Sequence, residues 1–525
     1  MFFLKTAKES QPEVFFNIFH SSIGEKCLKS EELNLIGEIP KVKLVASFDE
    51  IHNFQHFSAS NGIAIGKERS KTKNPFLSID PHLNKSFPPI WYLAKVKVND
   101  KEICGATIPG IPAILIGHTD KIAWGFTSSL ADIIDLKIID SLKLKEFKKR
   151  EEVIKIKGRK EYKMDIYEFE EDVLISEAEE GKPGILLKFS RDVSSNPFEV
   201  FEKIYKSNDL YSSVEGFVEM PIVLNCIAID RDGNLGHIIS GKIPKRKNSY
   251  VFFPTKEIVW DGFIRNYELY LNYDNDFIIS ANEKTNDMIS KSWCAPYRYE
   301  RFLELIPKEK WDFENLKKLQ RDVYSKEGDM ILKILLRYFP EGNLKNKFKN
   351  WDFNLDPNSE EAYLFETFYY KLFENLLKDE LRKYYFDYLK ITPQSYPALD
   401  EAIYRGDESP LWDDLNTEVK EKMEDIVQKT VKEIEKIKIK KWGDVHNLRI
   451  GYLFLKDNFP YPGDLNTINM GGFMPEFDFK VVLFPSLRFI VEMKEKPECY
   501  FEIPGGQSEH FLDYNSKNFL SLFSK

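Results

Sequence analysis

Residues 60–83 open with Ser60-Asn-Gly-Ile-Ala-Ile-Gly66 and close with Asp80-Pro-His-Leu83. The first run is short, rich in isoleucine and bounded by glycine, which predicts a strand. Further runs of this kind, separated by Pro and Gly, are Tyr92-Leu-Ala-Lys-Val-Lys-Val98 and Ala113-Ile-Leu-Ile116. The pattern continues to about residue 300, so this part of the chain is predicted to be β-rich.

The chain then changes character twice. Between residues 310 and 440, apolar residues recur at helical spacing, as in Met423, Ile426, Val427, Val431 and Ile434. Strand-like runs return after Trp442, for example Val481-Val-Leu-Phe484 and Leu487-Arg-Phe-Ile-Val491. Two β-rich halves separated by a helical insertion predict an α+β body with layered sheets.

Composition excludes several classes of protein. The chain has 525 residues, 42% of them hydrophobic, and a net charge of −9. This is enough apolar material for a large core, and it argues against disorder. With no dense basic tract and no run of about 18 apolar residues, nucleic-acid binding and a transmembrane helix are not expected. The first residues also lack the order of a signal peptide, which predicts a cytoplasmic protein.

The five cysteines lie far apart in the sequence, at Cys27, Cys104, Cys226, Cys294 and Cys499. No CxxC pair and no local Cys/His cluster is present. A zinc site or a disulfide framework is therefore not expected. The sequence predicts ordinary buried thiols in a reducing compartment.

Taken singly, the motifs that carry chemistry are weak. The chain has no phosphate-binding glycine motif and no GxSxG elbow. His82 sits beside a proline in a segment predicted to be a loop, which alone indicates a structural residue. Asp132 and Asp135 follow Ile122-Ala-Trp-Gly-Phe-Thr127. Their spacing suits Ca²⁺, although many such carboxylate pairs bind nothing.

In their order, however, these motifs resemble the penicillin acylase (penicillin amidase) family. The matching segments, over about residues 58–525, include Ser60-Asn61, Asp80-Pro-His-Leu83, Ile108-Pro-Gly-Ile-Pro112, Ile116-Gly-His118, Ile122-Ala-Trp-Gly-Phe-Thr127, Ser280-Ala-Asn282, Tyr297-Arg298, Trp442-Gly-Asp-Val-His446 and Pro504-Gly-Gly-Gln-Ser508. The resemblance implies an N-terminal nucleophile hydrolase with a four-layer αββα sandwich. Such a precursor cuts itself just before its nucleophile.

The resemblance assigns the central roles to three residues. Ser60 would be the nucleophile, and its freed α-amine, with an ordinary pKa of about 7.7–8.0, would be the general base. The side-chain amide of Asn282 and the backbone N–H of Ser128 would form the oxyanion hole. The expected reaction is hydrolysis of linear amides such as penicillins, N-acyl homoserine lactones or N-acyl amino acids.

Supporting roles follow from the same resemblance. His82 would position the amine or polarise the hydroxyl, and Glu492 is a candidate partner that would orient His82. Arg298 would lie at the rim of the site, with Arg301 as the alternative. One structural Ca²⁺ is expected on Asp132, the backbone oxygen of Ile134, Asp135 and Asp287.

The main departure from the family is length. Only 59 residues precede Ser60, so residues 1–59 are interpreted as the remnant of an α chain and spacer. Residues 60–525 would be the β-chain-like domain, with its helical insertion at about 310–440. The chain could need a separate α-chain partner, could be an inactive truncated remnant, or could be a minimal enzyme. A Ca²⁺-binding adhesion or carbohydrate module is a further alternative.

The residue before the nucleophile is a smaller departure. It is Ala59 here, where the family usually has glycine. Glycine allows the strained backbone that drives an N→O acyl shift. Self-cleavage is therefore expected to be slower in this chain.

Overall fold

The computed structural model describes residues 59–508, together with His510 and Asp513. Within that span, the gaps are residues 100, 191–195, 248–254, 265–275, 285–288, 291–292, 382–384, 386–388, 390–396, 414–417, 453–454 and 475–477. The predicted α-chain remnant, apart from Ala59, and the predicted calcium ligand Asp287 lie outside the described residues.

The strands are, in chain order, β1 Ala59–Ile65, β2 Phe76–Asn84, β3 Tyr92–Val98, β4 Lys101–Thr107, β5 Ile116–His118, β6 Ile122–Ser128, β7 Ile134–Ile139, β8 Lys148–Ile154, β9 Tyr162–Phe169, β10 Asp172–Leu174, β11 Gly184–Phe189, β12 Leu224–Asp230, β13 Leu235–Ile239, β14 Ile243–Arg246, β15 Trp260–Ile264, β16 Phe277–Ser280, β17 Asn447–Tyr452, β18 Leu455–Pro460, β19 Gly472–Met474, β20 Asp478–Pro485, β21 Arg488–Glu492 and β22 Glu498–Glu502. The α-helices are α1 Pro197–Lys206, α2 Leu210–Val218, α3 Tyr297–Leu305, α4 Phe313–Leu319, α5 Lys326–Leu335, α6 Asn343–Lys349, α7 Glu360–Leu381, α8 Pro397–Arg405, α9 Met423–Ile434 and α10 Trp442–Val445.

Two antiparallel sheets form the centre of the molecule. One has seven strands, with β16, β1, β2, β20 and β19 in order and with β21 and β22 continuing from β2; the other has six, in the order β13, β12, β6, β5, β4, β3. The sheets stack face to face where β1 and β2 meet β6. A Cβ added to Gly125 of β6 would lie 2.4 Å from Cγ1 of Ile79 in β2. The small residue therefore lets the two sheets approach each other.

Helices cover the outer faces of both sheets. On the six-stranded sheet, Phe217 of α2 packs against Phe126 of β6, with ring centroids 6.4 Å apart. On the seven-stranded sheet, Phe313 of α4 meets Phe76 of β2 edge to face at 5.3 Å. Burial of these aromatic faces holds each helix layer on its sheet. The predicted α+β class is confirmed.

The elements described between Phe313 and Ile434 are all helical, as the periodicity predicted. The helices from α5 to α9 share a core of their own, in which Leu332, Phe368 and Leu372 are fully buried. The apolar positions of α9 at Met423, Ile426, Val427, Val431 and Ile434 all point into it. Among the described helices, none is long and apolar enough to cross a membrane.

One local prediction was wrong. The segment Asp80-Pro-His-Leu83, predicted as a loop, lies within strand β2. Pro81 is tolerated there because its carbonyl still accepts a hydrogen bond from the Ser486 amide at 2.8 Å. Proline has no N–H to donate to Ser60 on the facing strand. Side chains bond the backbone of Ser60 instead.

Candidate active site

Ser60 lies at the start of β1 and is 5% exposed. Its backbone N–H donates to Oδ1 of Asn282 at 2.7 Å, and its Oγ donates to the carbonyl of Ala59 at 2.5 Å. Across the strand pair it faces Pro81. The hydroxyl therefore lies against the peptide group that links it to Ala59, which is the bond that self-cleavage would break.

Asn282 follows strand β16 and adopts a left-handed backbone conformation, with φ of 64°. Such a conformation costs energy for a residue with a side chain, and it is concentrated at functional sites. Its Nδ2 donates to the carbonyl of Ser128 at 2.9 Å. The structure therefore brings Ser60, Ser128 and Asn282 together. The contact uses the carbonyl of Ser128, whereas the oxyanion hypothesis uses its N–H.

Arg298 lies in the first turn of α3 and is buried. One guanidinium nitrogen donates to the Ser60 carbonyl at 2.9 Å and to Oδ1 of Asn61 at 2.6 Å, and the other donates to Oδ1 of Asn282 at 3.1 Å. All three acceptors are neutral, so a buried positive charge lies beside the serine. The alternative, Arg301, instead bonds Asp322 at 2.9 Å.

His82 is fully buried and belongs to a polar cluster on β1 and β2 that also contains Asn61 and Asp80. Its Nε2 lies 2.8 Å from Oδ2 of Asp80 and 3.3 Å from Nδ2 of Asn61. The amide of Asn61 also donates to Asp80 at 2.9 Å. Asn61 and Asp80 fall within the family-like motifs of the sequence, but no role is predicted for them there. Asn61 directly follows Ser60, and Asp80 lies two residues before His82. These positions are the sequence signal that indicates a role at the site.

Burial sets the protonation of this cluster. It holds the pKa of His82 well below its usual value, helped by the positive charges of Arg298 and Arg488. Burial also raises the pKa of Asp80 well above its ordinary value, and the hydrogen bond from Asn61 only partly opposes that rise. Each shift disfavours the charged form in the low-dielectric interior. His82 is therefore a neutral imidazole at working pH.

The predicted pairing of Glu492 with His82 is not found. Glu492 lies opposite Phe76 in the pairing of β2 with β21, whereas His82 faces Pro485 at the other end of β2. The Glu492 carboxylate accepts from Nδ2 of Asn74 at 2.8 Å. Six residues of extended strand, at about 3.3 Å each, keep it from the imidazole.

Of the residues expected to hold Ca²⁺, Asp135 is engaged by other protein groups. Both carboxylate oxygens of Asp135 accept from Nε of Arg246, at 3.1 and 2.9 Å, and the Trp260 indole donates to one of them at 2.5 Å. The same guanidinium donates to the backbone oxygen of Asp132 at 3.0 Å. The Arg246 guanidinium therefore pairs with Asp135 in this structure, and Asp287, the remaining expected ligand, lies outside the described residues. Ile134 contributes an exposed side chain next to this pair.

The expectation that no Cys/His cluster exists was also wrong. Cys104, His118 and Cys499 come together in space although the two cysteines are 395 residues apart. Sequence spacing alone could not reveal this, because the three residues lie on three different strands of two sheets. In the sequence, His118 stands out only as part of the motif Ile116-Gly-His118.

The fold defines the class of protein to which this chain belongs. It is similar to the solved structure of a thermostable penicillin G acylase from Alcaligenes faecalis, with a TM-score of 0.66 and 14% identity over 88% of this chain and 94% of that one. At this identity the likeness speaks for the fold alone. The chain belongs to the penicillin amidase family, whose model matches residues 5–525.

Curated relatives carry the names of acylases. The chain is 23% identical to the acyl-homoserine lactone acylase QuiP of Pseudomonas fluorescens (strain Pf0-1), covering 93% of this chain and 68% of that protein. The QuiP of Pseudomonas putida is 21% identical, with coverages of 91% and 66%. The penicillin acylase 2 proenzyme of Pseudomonas sp. (strain SE83) is 22% identical over 59% of this chain. The chain spans about two thirds of the length of the QuiP proteins.

Proposed function

We propose that this protein is an amidohydrolase that cleaves the linear amide bond of N-acyl compounds, with Ser60 as nucleophile after a cut between Ala59 and Ser60. One observation carries the proposal: the Ser60 N–H donates to Asn282 at 2.7 Å while the Ser60 hydroxyl contacts the Ala59 carbonyl at 2.5 Å. The atoms needed for the cut and for the later acyl transfer thus share one small site.

The cut begins with attack of Ser60 Oγ on the carbonyl carbon of Ala59. The C–N bond breaks as the ester to Oγ forms, and the serine nitrogen takes up the proton. Water then hydrolyses the ester, which leaves residues 1–59 with a carboxylate and Ser60 with a free amine. The proposed oxyanion donor is Asn282 Nδ2, which donates to the carbonyl of Ser128 at 2.9 Å in this structure and would turn towards the Ala59 oxygen during the cut.

Substrate hydrolysis reuses these groups. The neutral α-amine takes the hydroxyl proton as Oγ attacks the substrate carbonyl, and it delivers that proton to the leaving amine. Water then hydrolyses the acyl ester. Arg298 supports the base function, because its buried positive charge disfavours protonation of the neighbouring amine. The pKa of this amine is therefore expected to lie below the usual value of about 7.7–8.0.

N-acyl homoserine lactones are the preferred substrate class. The QuiP relatives match 93% and 91% of this chain, whereas the named penicillin acylase matches 59%. Penicillins and N-acyl amino acids are the other classes that the same chemistry would accept. The competing proposal is an inactive remnant, or one half of an enzyme that needs a separate α chain.

Intact mass and activity decide between these proposals. Purified wild-type protein should appear as two pieces, residues 1–59 and 60–525, and should release free amine from a panel of N-acyl homoserine lactones and N-acyl amino acids. Ser60→Ala should stay uncut and inactive, whereas Ser86→Ala, at an exposed serine of the same segment, should behave as wild type. A wild-type chain that stays uncut and hydrolyses no member of the panel would establish the remnant.

A further inference from the structure

Three potential metal ligands converge between the two central sheets, away from the residues assigned to catalysis. Cys104 of β4 and His118 of β5 lie directly opposite each other in the six-stranded sheet. Cys499 belongs to β22 in the seven-stranded sheet. One donor atom from each residue lies within 4.8 Å of the other two.

The sulfur separation suits a metal better than a disulfide. The two Sγ atoms are 3.8 Å apart, whereas a disulfide bond is about 2.05 Å long. Zn–S bonds of about 2.3 Å in a tetrahedral site place two sulfur ligands about 3.8 Å from each other. The two thiols are therefore spaced as a tetrahedral ion would hold them.

The imidazole of His118 supplies independent support. It is 4% exposed, and its Nδ1 lies 2.9 Å from the Thr119 carbonyl. That acceptor fixes the proton on Nδ1 and leaves a lone pair on Nε2, which is buried and has no hydrogen-bond partner. A histidine that donates one ring N–H to a carbonyl and keeps the other nitrogen free has the usual arrangement of a metal ligand.

Metal binding would also set the protonation of the two thiols. Cysteine binds a metal ion as the thiolate, and a divalent cation supplies the positive charge that favours loss of the protons of Cys104 and Cys499.

We propose that Cys104, His118 and Cys499 form a binding site for one thiophilic divalent metal ion, Zn²⁺ by ligand preference. Two thiolates and one imidazole favour zinc over Ca²⁺ or Mg²⁺. Among the described residues the cluster offers three donors, so water completes a tetrahedral set. The ion would link β4 and β5 to β22 and so tie the two sheets together. Its binding energy would add to folding stability.

Metal titration tests this site without relying on acylase activity. Full-length protein, reduced and stripped of metal, is titrated with Co²⁺ as a spectroscopic probe and with Zn²⁺ in competition. One equivalent should bind, with the intense visible bands of a tetrahedral site and a near-ultraviolet thiolate charge-transfer band. Zn²⁺ should displace Co²⁺ and raise the melting temperature.

Variants locate the site. Cys104→Ser and Cys499→Ser should each abolish the charge-transfer spectrum or weaken binding by more than 100-fold, and His118→Gln should weaken it by at least tenfold. Cys226→Ala, at a buried cysteine of β12, should leave binding unchanged. Wild-type protein that gives no thiolate–Co²⁺ band would overturn the proposal even if a variant fails to fold. So would metal uptake that survives in both serine variants, or a Cys104–Cys499 disulfide that persists under reducing, metal-replete conditions.

Discussion

His82 lies opposite Ala59, not opposite Ser60, in the antiparallel pair of β1 and β2. Because neighbouring residues of a strand point to opposite faces, the imidazole shares a face with Asn61 while Ser60 points to the other side. Among the described residues, His82 contacts Asn61, which follows Ser60 and whose side-chain Oδ1 accepts from Arg298 at 2.6 Å. We therefore expect His82 to act as a positioning residue.

This placement makes a prediction about pH. Since burial holds the pKa of His82 well below 6.5, the imidazole stays neutral over the working range and does not set the acid limb of kcat/KM. His82→Gln should lower the rate by roughly tenfold through looser positioning, yet leave the midpoint of the acid limb in place. Rates of the matured enzyme measured between about pH 5 and 9 test this, with His510→Gln, at an exposed position, as the control. A shifted midpoint would mean that His82 titrates in the reaction.

Arg298 should set that midpoint instead. Arg298→Met removes a cation beside the α-amine, so the pKa of the amine rises and the acid limb moves to higher pH. Arg298→Lys keeps the positive charge but loses the planar guanidinium that bonds three acceptors. Its kcat/KM should therefore fall, while the midpoint of the acid limb should stay where it is in wild type. Equal acid limbs in the two variants would show that the charge of Arg298 does not act on the base.

Asn282 should matter for both reactions. Asn282→Ala removes the side-chain donor next to the oxyanion and the acceptor of the Ser60 N–H. We expect kcat of the matured enzyme to fall by about 10²–10³-fold with a smaller change in KM. Chain cleavage, followed by mass over time, should slow as well. Asn350→Ala, at an exposed helix end, is the control. If kcat of the Asn282→Ala enzyme stays within tenfold of the wild-type value, Asn282 does not belong to the oxyanion hole.

The pair of Arg246 and Asp135 should replace calcium as a structural element. Both side chains are buried, at 8% and 6% exposure. Arg246→Met leaves an uncompensated carboxylate and should destabilise the fold by about 3–5 kcal/mol. The double change Arg246→Met with Asp135→Asn should recover much of that loss. Denaturant unfolding measures these effects, and a rise in wild-type stability on adding Ca²⁺ would contradict this assignment.

A buried carboxyl cluster should make stability fall at high pH. Glu327, Glu366 and Asp464 line one cavity. Burial and then the charges of Asp400 and Asp464 hold the pKa of Glu327 well above its usual value, and burial raises that of Asp400 to about 6. A raised carboxyl pKa stabilises the fold fully below the ordinary value near pH 4, and that contribution is lost as pH rises through the folded-state pKa.

Glu327→Gln should therefore reduce the loss of stability that begins as the pH rises above the ordinary carboxyl pKa of about 4, while the variant and wild type converge at lower pH. Denaturant unfolding at a series of pH values measures this. Glu418→Gln, at an exposed position, should follow the wild-type curve. A Glu327→Gln curve that runs parallel to wild type at every pH would show that Glu327 does not titrate with the fold.

The sequence by itself determined the local elements and the main chemical groups. The helical spacing at residues 423–434 needed only neighbours within two turns, and α9 has those boundaries. The motifs containing Ser60, Asn282 and Arg298 were recognisable because each is a short contiguous pattern, and the structure brings the three residues together. Only sequence order, not geometry, was needed to select them.

Only the tertiary structure decided which partner each group meets. Ser60 bonds a residue 222 positions away, and Cys104 meets one 395 positions away. Tertiary structure also brings Arg246 to Asp135, and it places Glu492 and His82 at opposite ends of β2. Strand register and the stacking of two sheets fix these contacts, and a shift by a single residue would turn every side chain to the other face. A local sequence pattern does not specify the strand register, because the register depends on pairing between residues far apart in the sequence.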